Sequence, residues 1–466
     1  MEKIIRFFKL KEHGTDVKTE VIAGITTFLS MAYILAVNPS MLADAGMDQG
    51  AVFTATAVSA AMATIIMGVF ANYPVALASG MGLNAYFAYT VCPMLIGMGI
   101  TDPWKVALTA ILVEGVIFII LSFFKFREAL VNSVPANLKY GISAGIGLFI
   151  SIVGLKGAGI VTTDAFAIVA EDGTATVSSS TLVAMGNLSD PGVVLAFVGL
   201  IAIGVMWHFK IKGAILWGIL ATWVLGIIAQ LAGWYQGLSL IPDFSAGILP
   251  PSLAPTFFQF DFAFVGQHFV NFAAIVFAFL FVDLFDTVGT LIGVADQGGL
   301  LTKDGKLPKA GAALMSDAIG TVAGSVLGTS TVTSYVESTA GVAEGGRTGL
   351  TAISTAIMFV LALFLSPIFL AIPSFATTPA LLFVGLLMMK SVLKMKFEGD
   401  IADIVGGFLA LIMMPFTYSI ANGIMFGILA WVVLKVCTGK VKDVHPVMWV
   451  AFALFVLRII TLVMPA

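Results

Sequence analysis

The sequence predicts an all-α polytopic membrane protein with fourteen spans arranged as a 7+7 inverted repeat. Three observations carry this reading. Charged residues make up 11% of the 466-residue chain, hydrophobic residues 59%, and the mean hydropathy is +1.05, whereas a soluble protein carries about 25% charged residues. Apolar runs of about 18 to 25 residues recur from end to end, long enough to cross roughly 30 Å of hydrocarbon. Stretches of the second half also echo the first half in the same order.

The spans are read at about 20–42, 51–71, 75–96, 104–124, 137–161, 192–209 and 213–232. In the second half they fall at about 267–293, 309–327, 330–344, 348–371, 377–393, 401–418 and 421–436. A further apolar stretch, 446–464, contains Arg458 and either crosses or lies along the interface. With residues 1–19 in the cytoplasm, every Lys and Arg except Lys105, Lys156 and Arg458 falls on the inner side, as the positive-inside rule requires. The outer segments 162–191 and 233–266 are read as loops and hold no Lys or Arg. An error in span number would scramble this pattern. The expected location is the cell membrane, multi-pass, with no cleavable signal peptide.

ALTAI (107–111) in span 4 corresponds to GLTAI (349–353) in span 11. Pro135-Ala136 with Gly141 corresponds to Pro379-Ala380 with Gly385, and IxxGILAxxVL recurs at 215–225 and 424–434. Units of seven spans enter the membrane from opposite sides, so the repeat is inverted, and interrupted helices in such repeats mark the solute site of secondary transporters.

Spans 3 and 10 are the interrupted pair. NYPVALASGMGLN (72–84) and VLGTSTVTSYVES (326–338) each read as a short strand followed by a half-helix. Extended backbone at membrane depth must find partners, and the two strands can pair with each other. Ser334-Tyr335-Val336-Glu337 fits a capping box, placing Glu337 one turn into a helix with its carboxylate on the Ser334 N–H. A carboxylate at membrane depth is also a functional candidate. Asp283 and Asp286 in FLFVDLFDTVGTL share one helical face, with Thr290 one turn further. Glu114, Asp317 and Asp403 read as structural acids, and Glu344 with Arg347 as an interfacial ion pair. Thr26 and Thr27 are expected to bond back to the preceding turn, and Asn38-Pro39 to end or kink span 1. Tyr86, Phe87, Phe281 and Phe285 are packing aromatics, of which one or two can stack on a planar ring.

Cys92 and Cys437 give no metal spacing, and His13, His208, His268 and His445 form no metal or catalytic motif. No metal, cofactor or nucleic-acid partner is implied. The absence of HExxH, GxSxG and paired-His motifs argues against an enzyme.

GITTFLSMAYILAVNP (24–39), SGMGLNAYFA (79–88), FDTVGTL (285–291), TSYVES (333–338) and MPFTYSIANGI (414–424) together resemble the guanine/hypoxanthine permease family (AzgA-like) of the nucleobase:cation symporter-2 group. The resemblance implies a core domain (20–124 and 266–372) and a gate domain (125–265 and 373–440), with 441–466 as a C-terminal apolar helix. It implies proton-coupled uptake of purine bases, hypoxanthine or guanine, by an elevator-like movement of core against gate. The resulting candidate binding residues are Asp283, Asp286, Glu337, Gly82, Asn84, Phe285, Tyr335, Val336 and Thr27. Thr290, Ser334 and Gly80 are in support, and Asp286 and Glu337 are the candidates to carry the proton. Alternatives are an adenine-preferring permease or an anion transporter on the same fold. Oligomeric state is left open, a homodimer being one option.

Overall fold

The structure, a computed structural model, describes residues 2–123, 134–169, 175–245, 247–300 and 307–463. Helices dominate, and several begin at a side chain that caps the first turn. After the short α1 (Glu2–Phe7), α2 (Val17–Met31) starts where Asp16 accepts from the Thr19 N–H at 2.9 Å. It is followed by α3 (Ile34–Ala43) and α4 (Gln49–Ile66), the latter capped by Asp48 on the Ala51 N–H at 2.7 Å. Strand β1 (Leu77–Ser79), α5 (Met81–Tyr86), a π-turn (Phe87–Val91), α6 (Cys92–Gly97) and α7 (Pro103–Phe123) come next. After α8 (Ala136–Gly157), strands β2 (Val161–Val169) and β3 (Ala175–Met185) precede α9 (Pro191–His208), which pairs an Asp190 cap with Pro191 in its first turn. Such side chains satisfy the orphan N–H groups of a helix start, which apolar surroundings leave without water.

The chain continues with α10 (Ala214–Leu231), α11 (Ala263–Gln267), α12 (Phe269–Gln297) and α13 (Ala310–Leu327). Strand β4 (Val332–Ser334) leads into α14 (Ser338–Ala343), α15 (Gly349–Ala362), α16 (Ser366–Leu370) and α17 (Ser374–Met389). Then come α18 (Ile401–Phe416), α19 (Ile420–Cys437) and α20 (Pro446–Val463). Among the described residues, ten helical segments are long and apolar enough to cross a membrane, and three shorter apolar helices accompany them.

Packing falls into two groups. Helix α2 lies against α14 and α15, α4 against α3, α13 and α15, and α7 against α12 and α13. Separately, α8 packs on α17 and α18, α9 and α10 pack on α17, and α18 packs on α19. Contacts of α3 with α17, α5 with α8 and α10 with α2 join the groups. Small residues set the closest approaches, as expected where apolar surface alone gives helices no reason to associate. A methyl on Gly349 would stand 1.9 Å from the Gly68 carbonyl oxygen, and one on Gly141 would stand 2.2 Å from that of Gly407. Gly141→Val is therefore expected to force α8 from α18; recovery of monodisperse protein should fall severalfold, read by size-exclusion chromatography after mild detergent extraction.

Several expectations need correction. Span 1 is interrupted at Ala32–Tyr33, and Pro39 sits inside α3. The proline removes the bond to the carbonyl one turn earlier, and the chain absorbs the loss upstream of it. The described residues of 162–191 are no plain loop: β2 and β3 pair antiparallel, Val161 opposite Met185. Their Thr- and Ser-rich alternation was a strand signal. The stretch 446–464, which the sequence leaves open between crossing and lying along the interface, is helical over 446–463 as α20, which packs on α12 and α19 and buries Met448, Ala451 and Phe455. Residues 124–133, the start of the expected gate segment, lie outside the described residues.

Candidate functional site

Three helix interruptions converge: Ala32–Tyr33 in the first span, residues 77–80, and residues 332–337. At their meeting, β1 and β4 pair antiparallel, with Leu77 opposite Ser334, Ala78 opposite Thr333 and Ser79 opposite Val332. The ladder extends through Gly80 N–H to Thr331 O at 2.9 Å and Tyr335 N–H to Ala76 O at 3.0 Å. Outward-facing groups are met by hydroxyls. Leu77 N–H donates to Thr64 Oγ1 at 2.9 Å, Thr321 Oγ1 donates to Val332 O at 3.1 Å, and Ala76 N–H donates to Ser338 Oγ at 3.0 Å. Buried extended backbone is tolerable only with such an accounting, which explains the threonines flanking both breaks.

Asn38 fixes the first span to this centre. Its Nδ2 donates to Thr56 Oγ1 at 2.7 Å and Thr329 Oγ1 at 2.9 Å, with Ser79 Oγ 3.3 Å from the latter. Asn38→Ala leaves two buried hydroxyls short of a donor, so we expect a stability loss of about 2 kcal/mol, seen as a lower midpoint in thermal aggregation of the detergent-solubilised protein.

The carboxylates gather on one side of the strand pair. Glu337 Oε1 accepts a 2.6 Å hydrogen bond from the Tyr33 hydroxyl. Asp283 is fully buried on α12, and Thr287, one turn on, stands 3.3 Å from Asp283 Oδ1, 2.7 Å from Asp317 Oδ1 and 2.7 Å from Thr333 Oγ1. A hydroxyl carries a single proton, so Thr287 serves one acid at a time, and Asp317 holds the shorter contact. Asp286 is only half-buried, makes no hydrogen bond among the described residues, and lies within electrostatic range of Asp317 and Glu337. Beside it, Val336 is 47% exposed and Glu337 is half-buried. The arrangement presents two acceptors, Asp286 and Glu337, on an accessible face.

The capping box is not formed. Glu337 sits at the N-cap of α14 and makes no side-chain cap, because the chain stays extended through Ser334 and the helix starts later than the box requires. The Ser334 hydroxyl is buried without a partner among the described residues. Thr27 does not bond back to the preceding turn; its buried Oγ1 likewise lacks a partner and abuts α14 at Gly341. Glu344 pairs not with Arg347 but with Lys212, at 2.6 Å. The Arg347 guanidinium turns back onto the Val342 and Gly346 carbonyls at 2.6 and 2.8 Å, closing the end of α14.

Other candidates serve the frame. The Tyr335 hydroxyl donates to the Ser79 carbonyl and ties the two breaks together. Gly80 lies against the Thr333 methyl, and Gly82 against Ile146 of α8. Asn84 is fully buried; its Oδ1 accepts from Ser79 Oγ at 2.9 Å, and its Nδ2 has no partner among the described residues. Thr290 is half-buried one turn beyond Asp286. The Phe285 side chain lies outside the described residues. Sequence reasoning missed Tyr33, Thr287, Thr333 and the reach of Asp317 into this cluster. The signals were a helix break ahead of Pro39 and a hydroxyl one turn from Asp283.

Membrane-crossing helices with a polar centre at converging breaks are the architecture of a multi-pass membrane transport protein. Residues 18–426 match the model of the Permease family. The chain is 44% identical to the guanine/hypoxanthine permease PbuG of Bacillus subtilis, over 98% of this chain and 99% of that one. It is 41% identical to the adenine permease AdeP of Escherichia coli, over 98% and 95% respectively. The chain belongs to this family of nucleobase permeases. In fold it is similar to the transmembrane domain of the cyanobacterial bicarbonate transporter BicA, with TM-score 0.63 and 16% identity over 87% of this chain and 97% of that one. It is likewise similar to the murine anion transporter Slc26a9 in the inward-facing state, with TM-score 0.62 and 11% identity over 90% and 68%.

Proposed function

We propose that the chain is a proton-coupled symporter that imports purine bases across the cell membrane, with hypoxanthine or guanine as cargo. The carrying observation is the pair of accessible carboxylates, Asp286 and the Tyr33-bonded Glu337, where the three interruptions meet. A purine presents N–H donors along one edge, which carboxylates accept, and ring acceptors, which backbone N–H groups at the breaks can meet. The names of the curated relatives, guanine/hypoxanthine and adenine permeases, support the cargo class.

The two packing groups serve as the moving parts: spans 1–4 and 8–11 as core, spans 5–7 and 12–14 as gate, in fourteen spans of inverted repeat with the N-terminus inside. Core moves against gate in an elevator-like step. Protonation of Asp286 or Glu337 and base binding favour the same state, which is what coupling requires. The likeness to a bicarbonate transporter favours an anion as second reading; several acids at the site would repel one.

Uptake of labelled hypoxanthine into vesicles, with adenine, guanine, uracil and sulfate as competitors, separates these. Purines should compete and an inward proton gradient should accelerate uptake; competition by sulfate alone overturns the purine reading, and indifference to the gradient removes the coupling. Tyr33→Phe strips Glu337 of its donor and is expected to lower uptake about tenfold, the worth of one hydrogen bond to a charged group, at unchanged protein level.

A further inference from the structure

A cavity of about 460 Å³ lies where α3 and the helix after β1 face the C-terminal end of α8 and the turn between α18 and α19. It is lined by Asp44, Tyr89, Lys156 and Tyr418, with Pro93, Val153 and Gly157 beside them, and Asp44 and Lys156 are exposed. It is distinct from the carboxylate site: Tyr89 follows Gly80 by nine residues of helix, about 13 Å along the axis. Its volume is within the range of small-molecule sites.

The polar groups here are arranged for a flat, hydrogen-bonding ring. The Tyr89 hydroxyl donates to Asp44 Oδ2 at 2.8 Å, which fixes that carboxylate and leaves Oδ1 to accept. Lys156 Nζ stands 4.7 Å over the Tyr418 ring, and its ammonium makes no ion pair among the described residues. The Tyr89 and Tyr418 rings meet edge-to-face at 6.4 Å, with Phe149 backing Tyr418 at 5.5 Å. Two local irregularities hold these rings in place. Tyr89 rides the π-turn Phe87–Val91, a feature frequent at functional sites. Tyr418 has φ of 51°, a left-handed conformation costly for an aromatic residue, held by the Ser419 N–H to Met414 O bond at 3.0 Å.

We propose that this cavity is a peripheral binding site for the transported base, occupied on the way to or from the central site. The base lies against the tyrosines, with an N–H on Asp44 and a ring or carbonyl acceptor on Lys156. This rests on the purine reading above. The walls come from both packing groups, Asp44 and Tyr89 from one and Lys156 and Tyr418 from the other, so relative movement of the groups would assemble and dismantle the site.

Equilibrium binding of radiolabelled hypoxanthine to the purified chain tests this. Wild type should show two saturable components. Tyr418→Ala and Lys156→Gln should each weaken one component about tenfold and spare the other, while Glu337→Ala should do the converse. Size-exclusion profiles identify any variant that fails to fold, and the two peripheral variants give independent readings. A single component in wild type, or two components unmoved by both peripheral variants, overturns the proposal and leaves the central site standing. Failure of any purine to bind the wild-type chain sinks the purine reading itself, and this proposal with it.

Discussion

Glu337→Ala is expected to reduce proton-driven hypoxanthine uptake by about 100-fold or more, the largest functional effect of any single change here. The substitution removes an acceptor from the accessible face of the site and strands the Tyr33 hydroxyl, whose 2.6 Å bond ends on Glu337 Oε1. A hydrogen bond to a charged group contributes about 1.5–3 kcal/mol, and an orphaned buried donor adds to the loss; each 1.4 kcal/mol is tenfold in affinity. Glu337→Gln separates the two roles proposed for this residue. Its amide oxygen still accepts from Tyr33 and it cannot exchange a proton, so exchange of base across the membrane should persist while the proton gradient loses its effect. Uptake and counterflow in proteoliposomes give the two readouts. Full gradient-driven uptake by Glu337→Ala would remove Glu337 from the site.

What the sequence made legible, and what it hid, follows the range of the physics involved. The membrane class is a summed property of many apolar residues, and the ten long helical segments match it. The strand pair was readable because β-branched and hydroxyl residues at membrane depth demand partners. Tyr33 was not readable: its hydroxyl meets an acid 304 positions away, and no local pattern encodes that distance. The capping box failed for the opposite reason. Local spacing suggested that Ser334 and Glu337 bond each other, but pairing with β1 keeps Ser334 extended and a tertiary hydroxyl takes the carboxylate. Asp317 reads as a structural acid in the sequence; only the fold brings Thr287 within 2.7 Å of it.

Glu20 supplies the matching prediction for stability, and no sequence feature singled it out. It is fully buried near the start of α2. Its Oε1 accepts from the Arg347 N–H at 2.9 Å, and its Oε2 accepts from the Thr348 and Thr351 N–H groups at 3.3 and 3.1 Å and from Thr351 Oγ1 at 2.6 Å. One helix thus caps the start of another, α15, across the bundle. Glu20→Ala leaves the Arg347 and Thr348 N–H groups without an acceptor and reduces Thr351 to its longer contacts with the Thr348 and Glu20 carbonyls, at 3.2 and 3.4 Å, and a loss on the order of 3 kcal/mol is expected. Glu20→Gln should fare little better, because its amide N–H₂ would face donors. The measurement is yield and thermal stability of the purified protein, with uptake normalised to folded molecules. Glu20 variants should lose protein and keep uptake per molecule; Glu337 variants should do the reverse. The contrast has a physical origin. Glu20 has both oxygens spent on fixed donors, so it has nothing left to offer a solute. Glu337 is bonded through Oε1 to one hydroxyl and lies half-buried beside Asp286, so Oε2 remains for a proton or a base. Normal thermal stability in Glu20→Ala would show that α15 does not depend on this cap, and the division between the two glutamates would then fail.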